Sequence, residues 1–289
     1  MRSTRLVGLV MGLWLASLCL PAQAVVLRFK PKVNSIVKHK VTMSGRTEMT
    51  NEMLPEPMRM TMTMVMTSRQ KILGQTKEGL KVQTTSSDGK MTMNMEEMAG
   101  MEGMGGGKQT MKVPDSKMVT IMDDRGRVQR LVSSDVPGAG GQMPFSNETL
   151  ASLGGMTGLP EGDVKVNDTW SDQLNIPGSG QTPEINLSVN SRLLELLTYK
   201  GRQCAKIRTS FKGPMTMDLS QMGEGASGSM EATMQGTFTQ YYDYASSVWV
   251  GGDGQLTMNM TMAMPSAEGM DAGPMTMKMV MNLKLQMIK

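Results

Sequence analysis

The chain has 289 residues, of which 39% are hydrophobic and 19% charged, a balance that allows a buried core and argues against intrinsic disorder. Its 30 lysines and arginines exceed 26 acidic residues by four, and it has one histidine, His39. One imidazole cannot serve a Ser-His-Asp triad and a histidine metal site together. Acid pairs such as Glu96-Glu97 and Asp123-Asp124 are typical of solvated turns, so we expect no enzyme.

The first 24 residues predict a cleavable export signal. Arg2 and Arg5 begin it, residues 6–20 are apolar, and residues 21–24 read Pro-Ala-Gln-Ala, with the small-x-small pattern of a signal peptidase site. The apolar run is shorter than the ~20 residues needed to cross a bilayer, which favours cleavage after Ala24 over a retained anchor. We therefore expect a periplasmic or secreted protein.

The predicted mature chain from Val25 onward gives further exclusions. Loss of two arginines lowers the net charge from +4 to +2 (4 − 2 = 2), and the scattered basic residues lack aromatic partners, so we expect no nucleic-acid binding. No later stretch has ~18 successive apolar residues, so we expect no membrane-spanning segment. Cys204 is the one remaining cysteine, which excludes an internal disulfide and favours a structural thiol.

Methionine alternates with polar or small residues along several parts of the mature chain. A period of two places all the sulfur atoms on one face of a strand. The pattern predicts long strands over the stretches 58–66, 91–95, 215–217, 258–264 and 275–281. Turn-forming residues predict antiparallel hairpins at 87–90, 124–127, 200–201 and 252–254.

A self-comparison predicts two related β units. Ser68-Arg69 matches Ser191-Arg192, and Gly89-x-Met91-x-Met93 matches Gly213-x-Met215-x-Met217. The expected organisation is a signal peptide over 1–24, a first β unit over 25–142, a linker with one short helix (146–153) over 143–182, and a second β unit over 183–289. The predicted fold class is all-β, with long antiparallel strands in a curved sheet, a half-barrel or a sandwich.

A resemblance adds to this interpretation. The signal peptide, the Met-Thr alternations, the segment from Leu159 to Trp170 and the methionine-rich terminal strand together resemble an uncharacterised family of bacterial exported proteins, a domain of unknown function. More distantly, long antiparallel strands with a short helix resemble the half-barrels of periplasmic lipoprotein carriers of the LolA and LppX type. That resemblance implies a concave apolar face that holds acyl chains, without catalytic residues.

The strand methionines predict an apolar binding face. Methionine is flexible and polarizable, so a methionine-lined groove adapts to an apolar small molecule or a lipid. An ordinary core that uses methionine is the alternative. The candidate ligand-binding residues are Met60, Met62, Met64, Met260, Met262, Met277 and Met279.

A second hypothesis is soft-metal binding. Thioether sulfur selects Cu(I), and the Gly-rich segment 95–107 places four sulfurs at a spacing of three, where a loop allows them to converge. The candidate metal ligands are Met95, Met98, Met101 and Met104. Reversible oxidation to the sulfoxide gives a third hypothesis, a methionine oxidant sink, which requires exposed sulfurs.

The export prediction is tested by N-terminal sequencing of protein recovered from outside the cytoplasm. We expect the sequence to begin at Val25, because the peptidase cleaves after the small residue Ala24. Cytoplasmic protein that retains Met1 would contradict the export prediction.

Overall fold

The computed structural model describes most of the chain as β structure. Residues 1–23 of the predicted signal peptide and the predicted helix over 146–153 lie outside the described residues, and no helix occurs within the described ranges. The described residues are 24–51, 56–95, 107–135, 158–176, 183–218, 229–262 and 273–289.

The described residues form twelve strands that pair antiparallel in one curved, unclosed sheet. The strands are β1 (Ile36–Thr50), β2 (Met58–Gln75), β3 (Leu80–Asn94), β4 (Lys108–Val113), β5 (Ser116–Met122), β6 (Val128–Asp135), β7 (Thr169–Ile176), β8 (Glu184–Tyr199), β9 (Arg202–Asp218), β10 (Ser229–Asp243), β11 (Val248–Met262) and β12 (Met275–Ile288). The predicted all-β class is confirmed, as a curved sheet rather than a sandwich.

The first and the last strand, β1 and β12, are neighbours in the middle of the sheet. The strand order is β6-β5-β3-β2-β1-β12-β11-β10-β9-β8-β7, with β4 paired to β3 off this path. Strand β1 pairs with β12, so the two predicted β units share one continuous hydrogen-bonded sheet. The proposed duplication of 25–142 and 183–289 stays a prediction.

Alternation along each strand separates an inner apolar face from an outer polar face. In β9, Ile207 and Phe211 are buried, whereas Arg208 and Lys212 between and after them are exposed. Because the side chains of successive residues point to opposite faces, this pattern fixes which side of the sheet faces the core. The described parts of the predicted strand stretches lie in β2, β3, β9, β11 and β12, or directly after β3 in the case of Met95, so their period of two identifies strands correctly.

Two predicted hairpins are confirmed. Lys200 and Gly201 connect β8 to β9 with φ values of 50° and 74°, the left-handed pair that a two-residue hairpin requires. Residues 123–127 connect β5 to β6, with Gly126 at φ 78°.

The hairpin predicted at 87–90 is wrong. Strand β3 continues through this stretch, and Asp88 adopts φ 56° within a bulge where the pairing to β2 slips between Val65 and Thr67. At the same point β3 changes its other partner from β5 to β4. The residues that tolerate positive φ therefore bend the strand here instead of reversing the chain.

The hairpin predicted at 252–254 is also wrong. These residues lie inside β11, and the reversal occurs earlier, at a turn that ends with Ser247 at φ 57°. A Cβ on Gly254 would lie 2.1 Å from Cδ1 of Phe238 on the neighbouring strand. Glycine is present in β11 because an aromatic ring packs on the backbone, not because the chain turns.

One end of the curved sheet is closed by a buried cluster, which we call the closed end. Its residues come from β2 and β3 on one side, from β8 to β10 on the other, and from the segments 24–35 and 158–168. Side chains from strands so far apart in the sheet share a cluster because the inner face is concave. The members are Leu27, Phe29, Ile72, Leu80, Val82, Leu159, Val164, Leu193, Ala205, Ile207 and Tyr242.

An ion-pair network, here called the edge clasp, joins the two edges of the sheet. Arg125, Arg127 and Asp172 form it, with the arginines in the β5–β6 turn at one edge and the aspartate on edge strand β7. Arg125 Nη2 lies 2.8 Å from Asp172 Oδ2, and Arg127 Nη1 lies 3.5 Å from Asp172 Oδ1. Arg125 also donates from Nε to the Leu159 carbonyl at 2.6 Å and from Nη1 to Glu161 at 3.1 Å.

The edge clasp generates a stability prediction. Arg125 is 7% exposed, so Arg125→Met would remove the side-chain donor to the Leu159 carbonyl and leave the Asp172 carboxylate with only the longer pairing to Arg127. Removal of one member of a buried pair costs about 3–5 kcal/mol, and we expect a loss of this order in the free energy of unfolding measured in urea.

Arg130→Met is the matched control. Arg130 pairs with Glu78 on the surface, and both side chains are 58% exposed, so its loss should cost less than about 1 kcal/mol. Equal losses of unfolding free energy in the two variants would show that the edge clasp contributes no more stability than an exposed ion pair.

Candidate ligand-binding face

Methionines on the inner face lie beside one another on neighbouring strands. The register places Met64 between Met43 and Met91, and it places Met277 between Met49 and Met260. Directly opposite residues in antiparallel strands have Cβ atoms ~4.5–5.5 Å apart. We call this surface the methionine face: Met43, Met49, Met58, Met60, Met62, Met64, Met91, Met93, Met258, Met260, Met262, Met275, Met277, Met279 and Met281.

The seven methionines predicted to bind a ligand all belong to the methionine face. They occupy three separate strands, which the topology brings together because β1 and β12 pair in the middle of the sheet. Met60, Met62 and Met64 lie on β2, Met260 and Met262 on β11, and Met277 and Met279 on β12. Their common placement follows from the register, and their role in binding stays a prediction.

Burial divides the inner face into two parts. Around β8 to β10, methionine belongs to a closed core: Met215 is 2% exposed and Met234 is 4% exposed, packed with Ile185, Leu187 and Phe211. The methionines of β1, β2, β3 and β12 are half-buried. The first part serves as core, and the second part offers apolar surface that the described residues do not fully cover.

Gly45 interrupts the methionine face on β1. It lies between Met62 of β2 and Met281 of β12, and a Cβ at this position would be 3.1 Å from Cγ of Met281. The missing side chain lets Met281 lean across the backbone of β1. Gly45 therefore leaves room for the Met281 side chain within the methionine face.

Two stacked rings belong to the methionine-containing cluster of β8 to β10. Phe211 and Phe238 have ring centroids 5.7 Å apart and nearly parallel planes. A Cβ on Gly236 would lie 2.4 Å from Cζ of Phe211, so this ring also packs on a strand glycine. The phenylalanines thus form a rigid apolar layer, which methionine cannot provide.

His39 lies on the inner face and is buried, at 4% exposure. Its Nε2 is 2.8 Å from the carbonyl oxygen of Trp249, so the neutral ring donates from this nitrogen. Burial lowers the pKa of His39, and the hydrogen bond to Trp249 only partly offsets that effect. Within the described ranges, no three His, Cys, Asp or Glu side chains group as metal ligands.

The structure places one of the four predicted metal ligands. Met95 follows β3 and is half-buried, and its backbone N–H donates to the Gly107 carbonyl at 3.3 Å. Met98, Met101 and Met104 lie outside the described residues. The soft-metal hypothesis therefore stays a prediction.

Asp123 and Cys204 have side chains of reactive types, but their contacts indicate structural roles. Asp123 accepts hydrogen bonds from the backbone N–H groups of Arg125 and Arg127, from Arg127 Nε and from Gln129, and so organises its turn. Cys204 is fully buried, and burial raises the pKa of its thiol, which disfavours the reactive thiolate.

The edge clasp was not predicted from the sequence. Arg125 and Asp172 are 47 residues apart, and each has an unremarkable local context. Among the residues that the structure describes, no helix is long and apolar enough to cross a membrane.

Comparisons with known proteins give little more. No family model matches the chain, and no curated protein matches it. Among solved structures, it is similar to a DUF1329 family protein from Desulfovibrio piger, at 11% identity over 86% of this chain and 85% of that one, with a TM-score of 0.17. That neighbour belongs to a domain family of unknown function, and a TM-score this low carries no argument about fold or function.

His39 generates a prediction about pH. Its pKa in the folded protein is below the ordinary value of 6.5, so protonation favours the unfolded chain. The stabilisation from neutral His39 is complete above ~6.5 and is lost as the pH falls further. We expect the free energy of unfolding to fall from about pH 7.5 to about pH 5.5, with a slope of at most ~1.4 kcal/mol per pH unit.

The control for this prediction is His39→Gln, which keeps an N–H donor for Trp249 and cannot titrate. Because His39 is the single histidine in the sequence, the variant should lose the pH dependence over this range. An unchanged dependence in the variant would assign it to other groups.

Proposed function

We propose that this protein is an exported, non-enzymatic carrier or binding module that holds an apolar, lipid-like ligand on the methionine face. One observation supports it above all: the half-buried methionines of β1, β2, β3 and β12 lie on neighbouring strands of one concave face. A concave apolar surface with adaptable side chains is the usual setting for such ligands.

The dimensions of the methionine face suit an acyl chain. Met58 and Met64 are six residues apart on β2, which corresponds to ~20 Å along an antiparallel strand. One leaflet of bilayer hydrocarbon is ~15 Å thick, so the strand is long enough for an extended chain. The resemblance to lipoprotein-carrier half-barrels supports the same ligand class by analogy.

The surroundings of the polar groups support a binding role over catalysis. The carboxylates of Asp123 and Asp172 form ion pairs with arginine side chains. The side chains of His39 and Cys204 are buried. An export signal over 1–24 supports a periplasmic or secreted location, where a carrier for apolar molecules would act.

The oxidant-sink hypothesis fits the described methionines less well. It needs sulfurs that meet solvent oxidants, yet the strand methionines are buried or half-buried, apart from Met111, which is 39% exposed. Soft-metal binding through the segment 95–107 is the competing function that the binding experiment must separate.

We test the proposal with a fluorescent fatty-acid probe. Met62→Gln combined with Met277→Gln keeps the side-chain length but makes two half-buried positions of the methionine face polar. Loss of ~1–2 kcal/mol of apolar contact predicts probe affinity about fivefold to thirtyfold weaker, measured by fluorescence titration.

The matched control is Thr63→Gln combined with Lys278→Gln, on the exposed outer face of the same strands. It should leave probe affinity unchanged, and urea unfolding verifies that both variants are folded. The proposed function would be rejected if the parent protein did not bind the probe, or if both variants lost probe affinity equally. A tight Cu(I) complex that disappears when Met95, Met98, Met101 and Met104 become leucine would favour soft-metal sequestration instead.

A further inference from the structure

A basic depression lies outside the closed end, at the end of the sheet where β12 stops. Its volume is about 850 Å3, and the N-terminal segment, the ends of β1, β2 and β12 and the β10–β11 turn surround it. We call it the basic depression. Its charged lining residues are all cations: Lys30, Lys32, Lys38, Arg69, Arg202 and Lys289.

The charges in the basic depression are largely uncompensated. Arg202 donates from Nη1 to the buried carboxylate of Asp243 at 2.8 Å, which neutralises that one guanidinium. The described lining contains no acidic side chain to offset the other five cations. The register places Lys38 directly between Arg69 of β2 and Ile288 of β12, so two of the cations and an apolar side chain lie on adjacent strands.

Exposed apolar side chains adjoin these cations. Ile36 and Ile288 line the basic depression and are 45% and 39% exposed. Val33, which precedes them in the N-terminal segment, is 49% exposed. Isoleucine and valine beside lysine form the amphipathic composition that suits the boundary between lipid headgroups and acyl chains.

The segment that carries this surface is held to the sheet. The backbone N–H of Ile72 donates to the Ser35 carbonyl at 3.1 Å, and the N–H of Asn34 donates to the Ile72 carbonyl at 2.8 Å. Ser35 also lines the basic depression, and its buried hydroxyl has no hydrogen-bond partner among the described groups.

We propose that the basic depression docks the protein on an anionic lipid surface. Lysines at the rim contact headgroup phosphates, and Ile36 and Ile288 enter the headgroup layer. Charge complementarity favours an anionic bilayer, and the exposed apolar side chains favour a bilayer over a free phosphate ion. The lining lacks aromatic residues that would stack on nucleic-acid bases. This surface is separate from the methionine face, so the inference goes beyond the proposed function.

The test is flotation with vesicles of phosphatidylcholine, with and without phosphatidylglycerol. We expect binding to the anionic vesicles only, weakened as salt rises toward about 0.15 M. Each basic residue near an anionic surface contributes ~1 kcal/mol, or about fivefold, so Lys32→Gln combined with Lys38→Gln should lower partitioning about 25-fold.

Arg208→Gln combined with Lys212→Gln is the matched control, because it removes two exposed charges from the outer face of β9. It should bind anionic vesicles like the parent. Equal loss in both variants, absence of binding to anionic vesicles, or full displacement by inorganic phosphate would overturn the proposal, the last in favour of a free-anion site.

Fatty-acid probe binding separates this inference from the proposed function. The variant with Lys32→Gln and Lys38→Gln should keep the parent's probe affinity while it loses vesicle binding. If probe binding fails in the parent but vesicle binding remains, the proposed function is wrong and the docking surface stands.

Discussion

The attraction between Arg125 and Asp172 holds together two sheet edges that no hydrogen-bonded ladder joins. A curved sheet with free edges has no intrinsic reason to keep one radius, because its strands can twist and spread. The buried guanidinium fixes the distance between the β5–β6 turn and β7, and it also holds the segment at Leu159 against the sheet. The closed end and the concave inner face both depend on this connection.

The same alternation produces two environments along one face. On β8 to β10, apolar side chains meet within a cluster from which water is excluded, so Met215 and Met234 contribute as core residues. On β1, β2 and β12, equivalent positions stay half-buried, because the described strands curve around them without covering them. The period of two in the sequence therefore determines which residues face inward, but the curvature of the sheet determines how much solvent each side chain contacts.

The strands were predictable because a period of two is a local property, and the hairpin at Lys200-Gly201 was predictable because left-handed φ values favour those residues. The hairpins predicted at Asp88 and Gly254 were wrong because a β-bulge and a glycine under an aromatic ring require the same residue types as a turn. The edge clasp was beyond local reasoning, since its partners meet only after the whole sheet curves. The placement of the candidate face followed from the sequence, whereas its ligand did not.

The choice of residue along the inner face differs between the closed end and the methionine face. At the closed end, where nothing needs to enter, the strands supply branched or rigid side chains such as Ile72, Val82 and Ile207. These suit β structure and fix a unique packing. On the half-buried strands the corresponding positions are methionine, an ordinary strand former with three rotatable bonds. Methionine also forms the buried cluster around Met215 and Met234, so residue type alone does not mark a binding surface; it is methionine at half-buried positions that supports the proposed adaptable surface.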